Sequence, residues 1–260
     1  APYTKTHSKK FLSGAGLVPF DSEILDDFTM VLNTFDKIDL RDKVSFETLL
    51  LSQNIQNKKL TMSGDDSFLL EISPSERMNS IIGLCIQGDF WGNEQVEIVI
   101  NNIVKYVNQL RKHGEYLIRF YELIPGIDRK FYEKLQSKLM IDEYRDFKTN
   151  FEKGLDISSH DIFISSRFHL HLLASRLGAN GFWLSPHKDY YDVKHNSVQM
   201  YGSNWQKFTN YDEIINIELN TPNLEIMKTF EHQKKDFAES LYPKRPILES
   251  CLSKYLGVKS

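Results

Sequence analysis

The chain has only two cysteines, no long apolar run and no excess of either charge, and each shortage excludes a class of protein. Cys85 and Cys251 provide neither a disulfide framework nor the spacing of a zinc site, which favours a reducing compartment. The longest apolar runs, such as 81–86, are far too short to cross a bilayer, and the amino terminus lacks a signal-peptide pattern. The net charge of -3 argues against nonspecific nucleic-acid binding, because that binding mode needs a basic surface. We therefore expect a soluble, cytoplasmic protein with no transmembrane segment and no nucleic-acid partner.

Several catalytic signatures are also missing. No Gly-x-Ser-x-Gly or Walker sequence occurs, and the turn at Ser13–Gly16 lacks the third glycine of a dinucleotide-binding fingerprint. The histidines between residues 169 and 195 lack the i, i+4 spacing of a helical metal site, so we expect no metal ion. Asp65 and Asp66 follow a predicted strand and could bind Mg²⁺, but a role in capping the next segment is favoured.

What the chain does have is a regular alternation of strand and helix patterns, which is typical of a parallel sheet with helices on both faces. A polar break containing proline at Ser73–Glu76 divides the series. We predict a partial N-terminal Rossmann-like domain at 1–73, a C-terminal Rossmann-like domain at 74–222, and a helical segment at 223–260 that packs back across the boundary. The predicted strands are 11–12, 37–42, 60–62, 81–86, 116–121, 162–164 and 181–184. The predicted helices are 22–34, 45–52 with Ser45 as its cap, 94–112, 129–139, 170–177 and 223–239.

The segment 161–171 combines a buried strand pattern with one arginine and two histidines. Arg167 and His169 fall at the carboxyl end of that strand, which is where open α/β sheets bind ligands. Arg167 could clamp a carboxylate or phosphate with its planar fork, and His169 could move a proton near neutral pH. The same pattern also fits an Arg167 paired with a structural carboxylate and a His169 packed under the helix. His171 cannot share the direction of His169 on a helix, so we interpret it as structural.

Other polar or glycine-containing segments also follow predicted strands. Arg41 ends the strand at 37–42, where a structural ion pair explains it as well as a ligand does. Gly14 and Gly16 would let a backbone approach a ligand closely, although a plain tight turn explains them equally well. The loop 185–195 holds two lysines, two histidines and two tyrosines, and it fits either a sugar or phosphoenol ligand or a polar surface.

The order of these motifs resembles the polysaccharide pyruvyl transferase family, over residues 10 to about 205. The resemblance implies a glycosyltransferase-B architecture, in which two Rossmann-like halves face a cleft. It also implies transfer of a pyruvyl group from phosphoenolpyruvate to two hydroxyls of a sugar, which forms a pyruvate ketal and releases phosphate. The matching segments are Phe11–Phe20, Ile38–Ser45, Thr61–Phe68, Ser165–His169 and Tyr190–Lys194.

The resemblance also implies a role for individual residues. Arg41 would bind the carboxylate or phosphate of the donor, and His169 would be the general acid and base. Cationic groups stabilise a departing phosphate, and the resemblance assigns that part to Arg167 and Lys194. The other implied substrate-binding residues are Gly14, Gly16 and Tyr191. No cofactor is needed, since phosphoenolpyruvate is itself the donor substrate.

The implied acceptor is a precursor of a cell-surface polysaccharide such as a capsule or exopolysaccharide. Such acceptors are often lipid-linked oligosaccharides, so we leave peripheral contact with a membrane open, although no amphipathic anchor is evident. The acceptor sugar, its linkage, the ketal stereochemistry and the oligomeric state do not follow from the sequence.

The sequence departs from the family pattern at three places. Ser166 stands where the family often has glycine, Ser13–Gly16 varies the usual glycine turn, and the earlier strands of the first Rossmann half are absent. Because half a sheet would expose an unpaired edge, the first half is expected to be truncated at its amino end, which favours a fragment of a larger protein over completion by a partner. Two other functions stay open: a nucleotide-sugar-dependent glycosyltransferase of the same architecture, and a non-catalytic carbohydrate-binding relative.

Overall fold

Strands and helices alternate through the residues that the computed structural model describes, which are 9–17, 25–52, 55 and 59–241. They form two units: the first holds the described residues up to Glu71 together with Lys228–Leu241, and the second holds Ile72–Met227. Parts of the sequence predictions lie outside the described residues. These are residues 1–8 of the predicted first domain, residues 18–24 of the first motif and first helix, and residues 242–260 of the C-terminal segment, which include Cys251.

The first unit contains a parallel sheet in the order β1-β2-β3, with β2 in the middle. Ile38 and Leu40 of β2 are fully buried and pack with Leu49 of the second helix, which forms the core of this unit. The elements are β1 (Phe11–Ala15), α1 (Leu25–Leu32), β2 (Lys37–Leu40), α2 (Lys43–Leu51), β3 (Leu60–Thr61) and a 3₁₀ turn at Asp66–Leu69. The helix formed by Leu224–Leu241, α9 below, belongs to this unit from Lys228 onward.

Two local predictions for this unit are wrong. Instead of a glycine turn at Ser13–Gly16, residues 13–15 form the end of β1, in which the pairing with β2 shifts register between Leu12 and Ala15, and Gly16 follows the strand. Gly14, at φ +58, supplies the left-handed residue that this irregularity needs. The cap of α2 is Asp42 rather than Ser45, because the Asp42 carboxylate accepts the Ser45 backbone N–H at 2.7 Å and the Ser45 hydroxyl at 2.8 Å.

The second unit contains six parallel strands in the order β6-β5-β4-β7-β8-β9. Its central strand β4 is buried throughout, as expected for a strand covered on both faces by helices. The elements are β4 (Ile81–Cys85), α3 (Asn93–Arg111), β5 (Leu117–Tyr121), α4 (Ile127–Leu135), β6 (Glu143–Arg145), α5 (Phe147–Lys153), β7 (Ile162–Ser165), α6 (Phe168–Arg176), β8 (Asn180–Trp183), a π-helical turn at Lys188–Asp192, α7 (Val193–Met200), β9 (Gln206–Lys207), α8 (Tyr211–Ile214) and α9 (Leu224–Leu241).

The strand order reverses between β4 and β7, and the loops that follow these two strands are tied to each other. The backbone N–H of Ser166 donates to the Cys85 carbonyl at 3.0 Å, and the backbone N–H of Gln87 donates to the Ser166 hydroxyl at 2.8 Å. Such a reversal leaves a crevice at the carboxyl ends of the strands, which is the usual ligand position in open α/β sheets. Among the helices in the described residues, none is both long and apolar enough to span a membrane.

Candidate functional site

In the first unit, Arg41 lies at the carboxyl end of the middle strand β2. Its backbone N–H donates to the Ala15 carbonyl at 3.0 Å, which ties it to the end of β1. Its Nη1 atom lies 3.4 Å from Oδ2 of Asp65, and the Arg41 side chain is 15% exposed. Asp65 also caps the following 3₁₀ turn by accepting the Ser67 backbone N–H at 2.9 Å, which is the capping favoured for it. The guanidinium is therefore held in place by a carboxylate while it still reaches solvent.

Gly14 and Gly16 make room for other atoms of the protein itself, at Asp66 and Arg41. A Cβ atom at Gly16 would lie 2.5 Å from Nε of Arg41, and one at Gly14 would lie 2.8 Å from the backbone nitrogen of Asp66. Both distances are shorter than real Cβ contacts, so a larger residue would displace its neighbour. The glycines thus determine where Arg41 and Asp66 lie, and substrate contact by their own backbone stays a prediction.

Lys234 is a buried cation at the same sheet edge, and the sequence interpretation missed it. Its Nζ atom donates to Oδ2 of Asp39 at 2.6 Å, to the Ser13 hydroxyl at 3.0 Å and to the Gly64 carbonyl at 3.2 Å. A fourth oxygen, Oδ1 of Asp66, also lies 2.6 Å from the same nitrogen. The three protons of an ammonium group are therefore all engaged.

A signal for Lys234 was present in the sequence. It comes four residues after Phe230 and three before Phe237, so it occupies the apolar stripe of α9. A lysine on such a stripe predicts either a buried partner or an error in the helix pattern, and Asp39 is the partner.

The charged side chains at this edge of the first unit do not have a net positive charge that would attract an anion. Asp39, Asp65 and Asp66 bring three carboxylates close to two cations, Arg41 and Lys234. An anionic ligand here would have to be recognised by direct hydrogen bonds to Arg41, because the summed formal charge of these five groups is negative.

In the second unit, Arg167 is held by a buried carboxylate. It is the residue before α6, and its Nε atom donates to Oδ1 of Asp128 at 3.0 Å while Nη2 donates to the same oxygen. The other oxygen of Asp128 accepts the backbone N–H groups of Leu123 and Ile124 at 2.9 Å each. Asp128 therefore connects the loop after β5 to Arg167, which agrees with the structural alternative for this arginine. Whether Arg167 also binds substrate stays a prediction.

His169 and His171 point to opposite sides of α6, as their spacing requires. His169 lies in the first turn and is exposed, with its ring against Phe168 at a centroid distance of 5.0 Å. His171 is fully buried, as expected for a structural residue, and stacks on Trp205 at 4.4 Å. Of the two, only His169 is accessible to a ligand from solvent.

The buried partner of His171 is His195, which the sequence interpretation had placed in a polar loop. Their Nδ1 atoms lie 3.0 Å apart, and Nε2 of His171 lies 2.7 Å from the Ser203 hydroxyl. His195 stacks on Trp183 at 5.0 Å. Burial lowers the pKa of both histidines, that of His195 to about 3, so both are neutral at physiological pH and belong to the core.

Tyr191 and Lys194 follow β8 and form an aromatic and cationic group. Nζ of Lys194 lies 3.6 Å from the ring centroid of Tyr190 and 5.3 Å from that of Tyr191. Burial raises the pKa of Tyr191, while the Gln87 amide and the charge of Arg167 act in the opposite direction. Because β7 and β8 are adjacent parallel strands, Arg167 and Tyr191 follow neighbouring strands at the same edge of the sheet. Lys194 is thus fixed over aromatic rings on the same side of the sheet.

The predicted site residues are divided between the two units. The first unit holds Arg41, Gly14 and Gly16, and the second holds Arg167, His169, Tyr191 and Lys194. Across the described ranges there is no group of three or more His, Cys, Asp or Glu side chains that could hold a metal ion.

Two solved structures share the architecture. UDP-GlcNAc 2-epimerase from Methanocaldococcus jannaschii superposes with a TM-score of 0.57 at 14% identity, covering 91% of this chain and 70% of its own. A putative UDP-N-acetylglucosamine 2-epimerase from Listeria monocytogenes superposes with a TM-score of 0.53 at 14% identity, covering 96% and 69%. At this identity the likeness defines only the fold, which is the α/β class with two Rossmann-like halves of the glycosyltransferase-B type.

The family is more specific than the fold. The model of the family described as polysaccharide pyruvyl transferase matches residues 2–188, which is more than half of the chain. The chain therefore belongs to the polysaccharide pyruvyl transferase family, and this membership confirms the resemblance seen in the motifs. Among curated proteins, no sequence matches the chain significantly.

Proposed function

We propose that the protein transfers the pyruvyl group of phosphoenolpyruvate to two hydroxyls of a sugar, forming a pyruvate ketal and releasing phosphate. Family membership supports the transferase class and a sugar or polysaccharide acceptor. The observation that carries the finer proposal is the position of His169. This histidine is exposed, two residues after Arg167, at the point where the strand order of the second sheet reverses.

The proposed reaction needs one group that can both give and take a proton. His169, in its protonated form, gives a proton to the methylene carbon of phosphoenolpyruvate, which becomes the methyl group of the ketal. The first sugar hydroxyl attacks the resulting oxocarbenium-like carbon and returns its proton to His169. The second hydroxyl attacks the same carbon as the bond to the phosphate oxygen breaks, and its proton leaves with the phosphate. A positioned histidine contributes about 10²- to 10⁴-fold to such a reaction.

The anionic donor needs cations that do not have to reorganise during the reaction. Arg167 is fixed by Asp128, and Lys194 is fixed over the ring of Tyr190, so both charges are held in place before any substrate arrives. In the proposal they stabilise the departing phosphate. Arg41 binds the carboxylate or phosphate of the donor, with its position set by Gly16 and Asp65. Tyr191 and the backbone at Gly14 and Gly16 complete the proposed substrate contacts.

The proposal needs no cofactor besides the donor substrate. Its acceptor is a sugar or a lipid-linked oligosaccharide used for a cell-surface polysaccharide such as a capsule or exopolysaccharide. The reaction would then take place in the cytoplasm, with peripheral contact at the membrane where the lipid-linked acceptor resides.

The direct test is release of inorganic phosphate from phosphoenolpyruvate, measured with a panel of sugar acceptors. We expect release that depends on the acceptor, and a loss of about 10²-fold or more in kcat for His169→Ala. The matched control is His113→Ala, which removes another exposed histidine of the second unit. Circular dichroism of both variants checks that they remain folded.

Three results would contradict the proposal in different ways. If His169→Ala turns over as fast as the unaltered protein, His169 has no part in the mechanism. Turnover of a nucleotide sugar in place of phosphoenolpyruvate would indicate the glycosyltransferase alternative. Sugar binding without turnover of either donor would indicate a non-catalytic relative.

A further inference from the structure

Phe90 has a backbone conformation that phenylalanine rarely adopts. Its φ angle is 64°, and in the described part of the chain only one other residue besides glycine, Asp156, has a positive φ. Aspartate tolerates the left-handed region, whereas a bulky aromatic residue is strained there. Strain of this kind persists only where the surroundings enforce it, and it concentrates at functional sites.

The loop after β4 enforces this conformation. The backbone N–H of Gln87 donates to the Ser166 hydroxyl at 2.8 Å, and Nε1 of Trp91 donates to the Gln87 carbonyl at 2.8 Å. Between them Gly88 packs so closely that a Cβ there would lie 2.3 Å from the Ile127 carbonyl oxygen. Both ends of the short loop are therefore anchored, and the Phe90 ring between them is 67% exposed. The strain is thus not offset by burial of the ring in the core.

Phe90 lies beside the ring of Tyr191, which contacts a further aromatic ring. Its ring centroid is 6.2 Å from that of Tyr191, which in turn lies 4.9 Å from Tyr190. Tyr190 is itself 36% exposed. The loops after β4 and β8 thus present a partly exposed aromatic surface at the carboxyl edge of the second sheet.

Two buried oxygen atoms next to this surface have no hydrogen-bond donor. They are Oε1 of Gln87, whose side chain is fully buried, and Oδ1 of Asp89. Asp89 directly precedes Phe90 in the chain, and Nε2 of Gln87 donates to the Asp89 carbonyl at 3.5 Å. Both oxygens therefore belong to the loop that carries the Phe90 ring. Buried acceptors in proteins almost always have a donor, and a ligand with hydroxyl or N–H groups at this loop would supply one.

We propose that Asp89 and Phe90, together with Tyr190, form the binding subsite for the acceptor sugar. A pyranose ring fits all the observations at once, because it has an apolar C–H face for the rings and hydroxyl donors for the oxygens of Gln87 and Asp89. Phosphate is disfavoured beside Asp89, whose carboxylate would repel it, and Lys194 over the Tyr190 ring remains the group proposed for the phosphate of the donor. The inference rests on the proposed function for the identity of the ligand as an acceptor, and it adds a subsite to that function.

The test measures sugar binding without any reaction. Saturation-transfer NMR of the full chain with methyl glycosides of glucose, galactose, mannose and N-acetylglucosamine, in the absence of phosphoenolpyruvate, identifies the hexoside that binds best. Phe90→Gly removes the ring and relieves the backbone strain, so we expect binding to weaken about threefold to tenfold while the Tm stays level or rises. Phe90→Trp keeps an aromatic face and should retain binding. The matched control is Phe151→Ala, which removes another exposed ring of the second unit.

A second variant tests the carboxylate of Asp89. Asp89→Asn keeps the shape of the side chain but replaces one acceptor oxygen by a donor, and we expect weaker hexoside binding in the same measurement. Equal hexoside binding by Phe90→Gly and the unaltered protein would overturn the inference, as would saturation transfer to none of the hexosides. Transfer from the Phe90 region to uridine diphosphate but to no hexoside would overturn it too. A protein that binds hexosides through Phe90 but releases no phosphate would leave the subsite intact and refute only the proposed reaction.

Discussion

Each unit has charged side chains at the carboxyl edge of its own parallel sheet, and the two units differ in how deeply these charges are buried. In the first unit Lys234 and Asp39 are both fully buried, and each is bonded mainly to other groups of the same unit. The comparable pair of the second unit is Arg167 with Asp128. Asp128 is fully buried, whereas Arg167 reaches solvent, and the exposed His169 follows Arg167 by two residues. The first edge therefore uses its charges chiefly for stability, whereas the second keeps titratable and aromatic groups accessible to a ligand.

The largest effect is expected where a charge is most deeply buried. Lys234→Met keeps the length of the side chain but leaves Asp39 as an unpaired buried carboxylate. Breaking a buried pair in this way costs about 3–5 kcal/mol, so we expect the free energy of unfolding of the first unit to fall by that amount. All three tryptophans, Trp91, Trp183 and Trp205, lie in the second unit. A urea transition seen by circular dichroism but not by tryptophan fluorescence therefore reports on the first unit.

The neighbouring residue provides the control for this prediction. Lys235 forms an exposed pair with Glu231, so Lys235→Met should change the free energy of unfolding by less than about 1 kcal/mol. Adding Asp39→Asn to Lys234→Met removes both charges and should recover part of the loss. Equal effects of Lys234→Met and Lys235→Met would mean that the buried pair does not stabilise the first unit.

The second unit should respond less strongly to loss of its pair, because Arg167 reaches solvent and Asp128 keeps two backbone donors. We expect Arg167→Met to lower the free energy of unfolding by about 2–3 kcal/mol and Asp128→Asn by a similar amount. A double-mutant cycle on the two residues, followed by tryptophan fluorescence in urea, should give a coupling of about 2 kcal/mol. Strictly additive losses would show that the pair contributes no interaction energy of its own.

The same cycle separates the two roles considered for Arg167. If this residue only holds Asp128, Arg167→Met lowers stability and leaves the KM for phosphoenolpyruvate unchanged. We expect the KM to rise as well, since the proposed function has Arg167 near the phosphate of the donor.

Two buried histidines in the core of the second unit should make the stability of that unit, unlike that of the first unit, fall as the pH is lowered below 6.5. His171 and His195 have pKa values lowered by burial, that of His195 to about 3, whereas an unfolded histidine titrates near 6.5. Between about pH 6.5 and pH 3 the unfolded chain therefore binds more protons than the folded chain, so stability is full above pH 6.5 and falls as the pH is lowered. Each histidine contributes a slope of about 1.4 kcal/mol per pH unit once the pH is well below 6.5.

The measurement is the urea midpoint of tryptophan fluorescence between pH 7 and pH 5, where unfolded carboxylates are still mostly ionised. Trp183 and Trp205 stack on the two histidines and report on them directly. His195→Phe keeps a ring against Trp183 and should reduce the slope by about half. An unchanged slope in this variant would assign the pH dependence to other groups.

The strands and helices with strong apolar periodicity were predictable from the sequence, and the short polar ones were not. β4, with every residue buried, and α3, with its apolar side, are within a residue or two of the prediction. β6 and α5 are short and largely polar, so their stability comes from neighbours that a local pattern does not reveal. The π-helical turn at Lys188–Asp192 was predicted as a loop for the same reason.

The candidate site was predictable in its position along the chain and not in its internal pairing. Arg41, Arg167 and His169 do lie at carboxyl ends of strands, because strand ends can be located from apolar runs. The partners Asp65 and Asp128 lie 24 and 39 residues away in sequence, and no local pattern indicates such contacts. Lys234 is 195 residues from Asp39 and could have been found only from its place on an apolar stripe.

The smallest change in stability is expected at Gly16, because this glycine contributes only the room that the Arg41 side chain occupies. A Cβ there would lie 2.5 Å from Nε of Arg41, and a flexible side chain can move away, so Gly16→Ala should change the free energy of unfolding by less than about 1 kcal/mol. The displaced guanidinium would lose its place beside Asp65, so we expect Gly16→Ala and Arg41→Ala to lower phosphate release alike. Combining the two substitutions tests this, because a displaced arginine and a missing one should not add. Additive losses of kcat/KM in the double variant would show that Gly16 acts independently of Arg41, and the charged edge of the first unit would then serve stability alone.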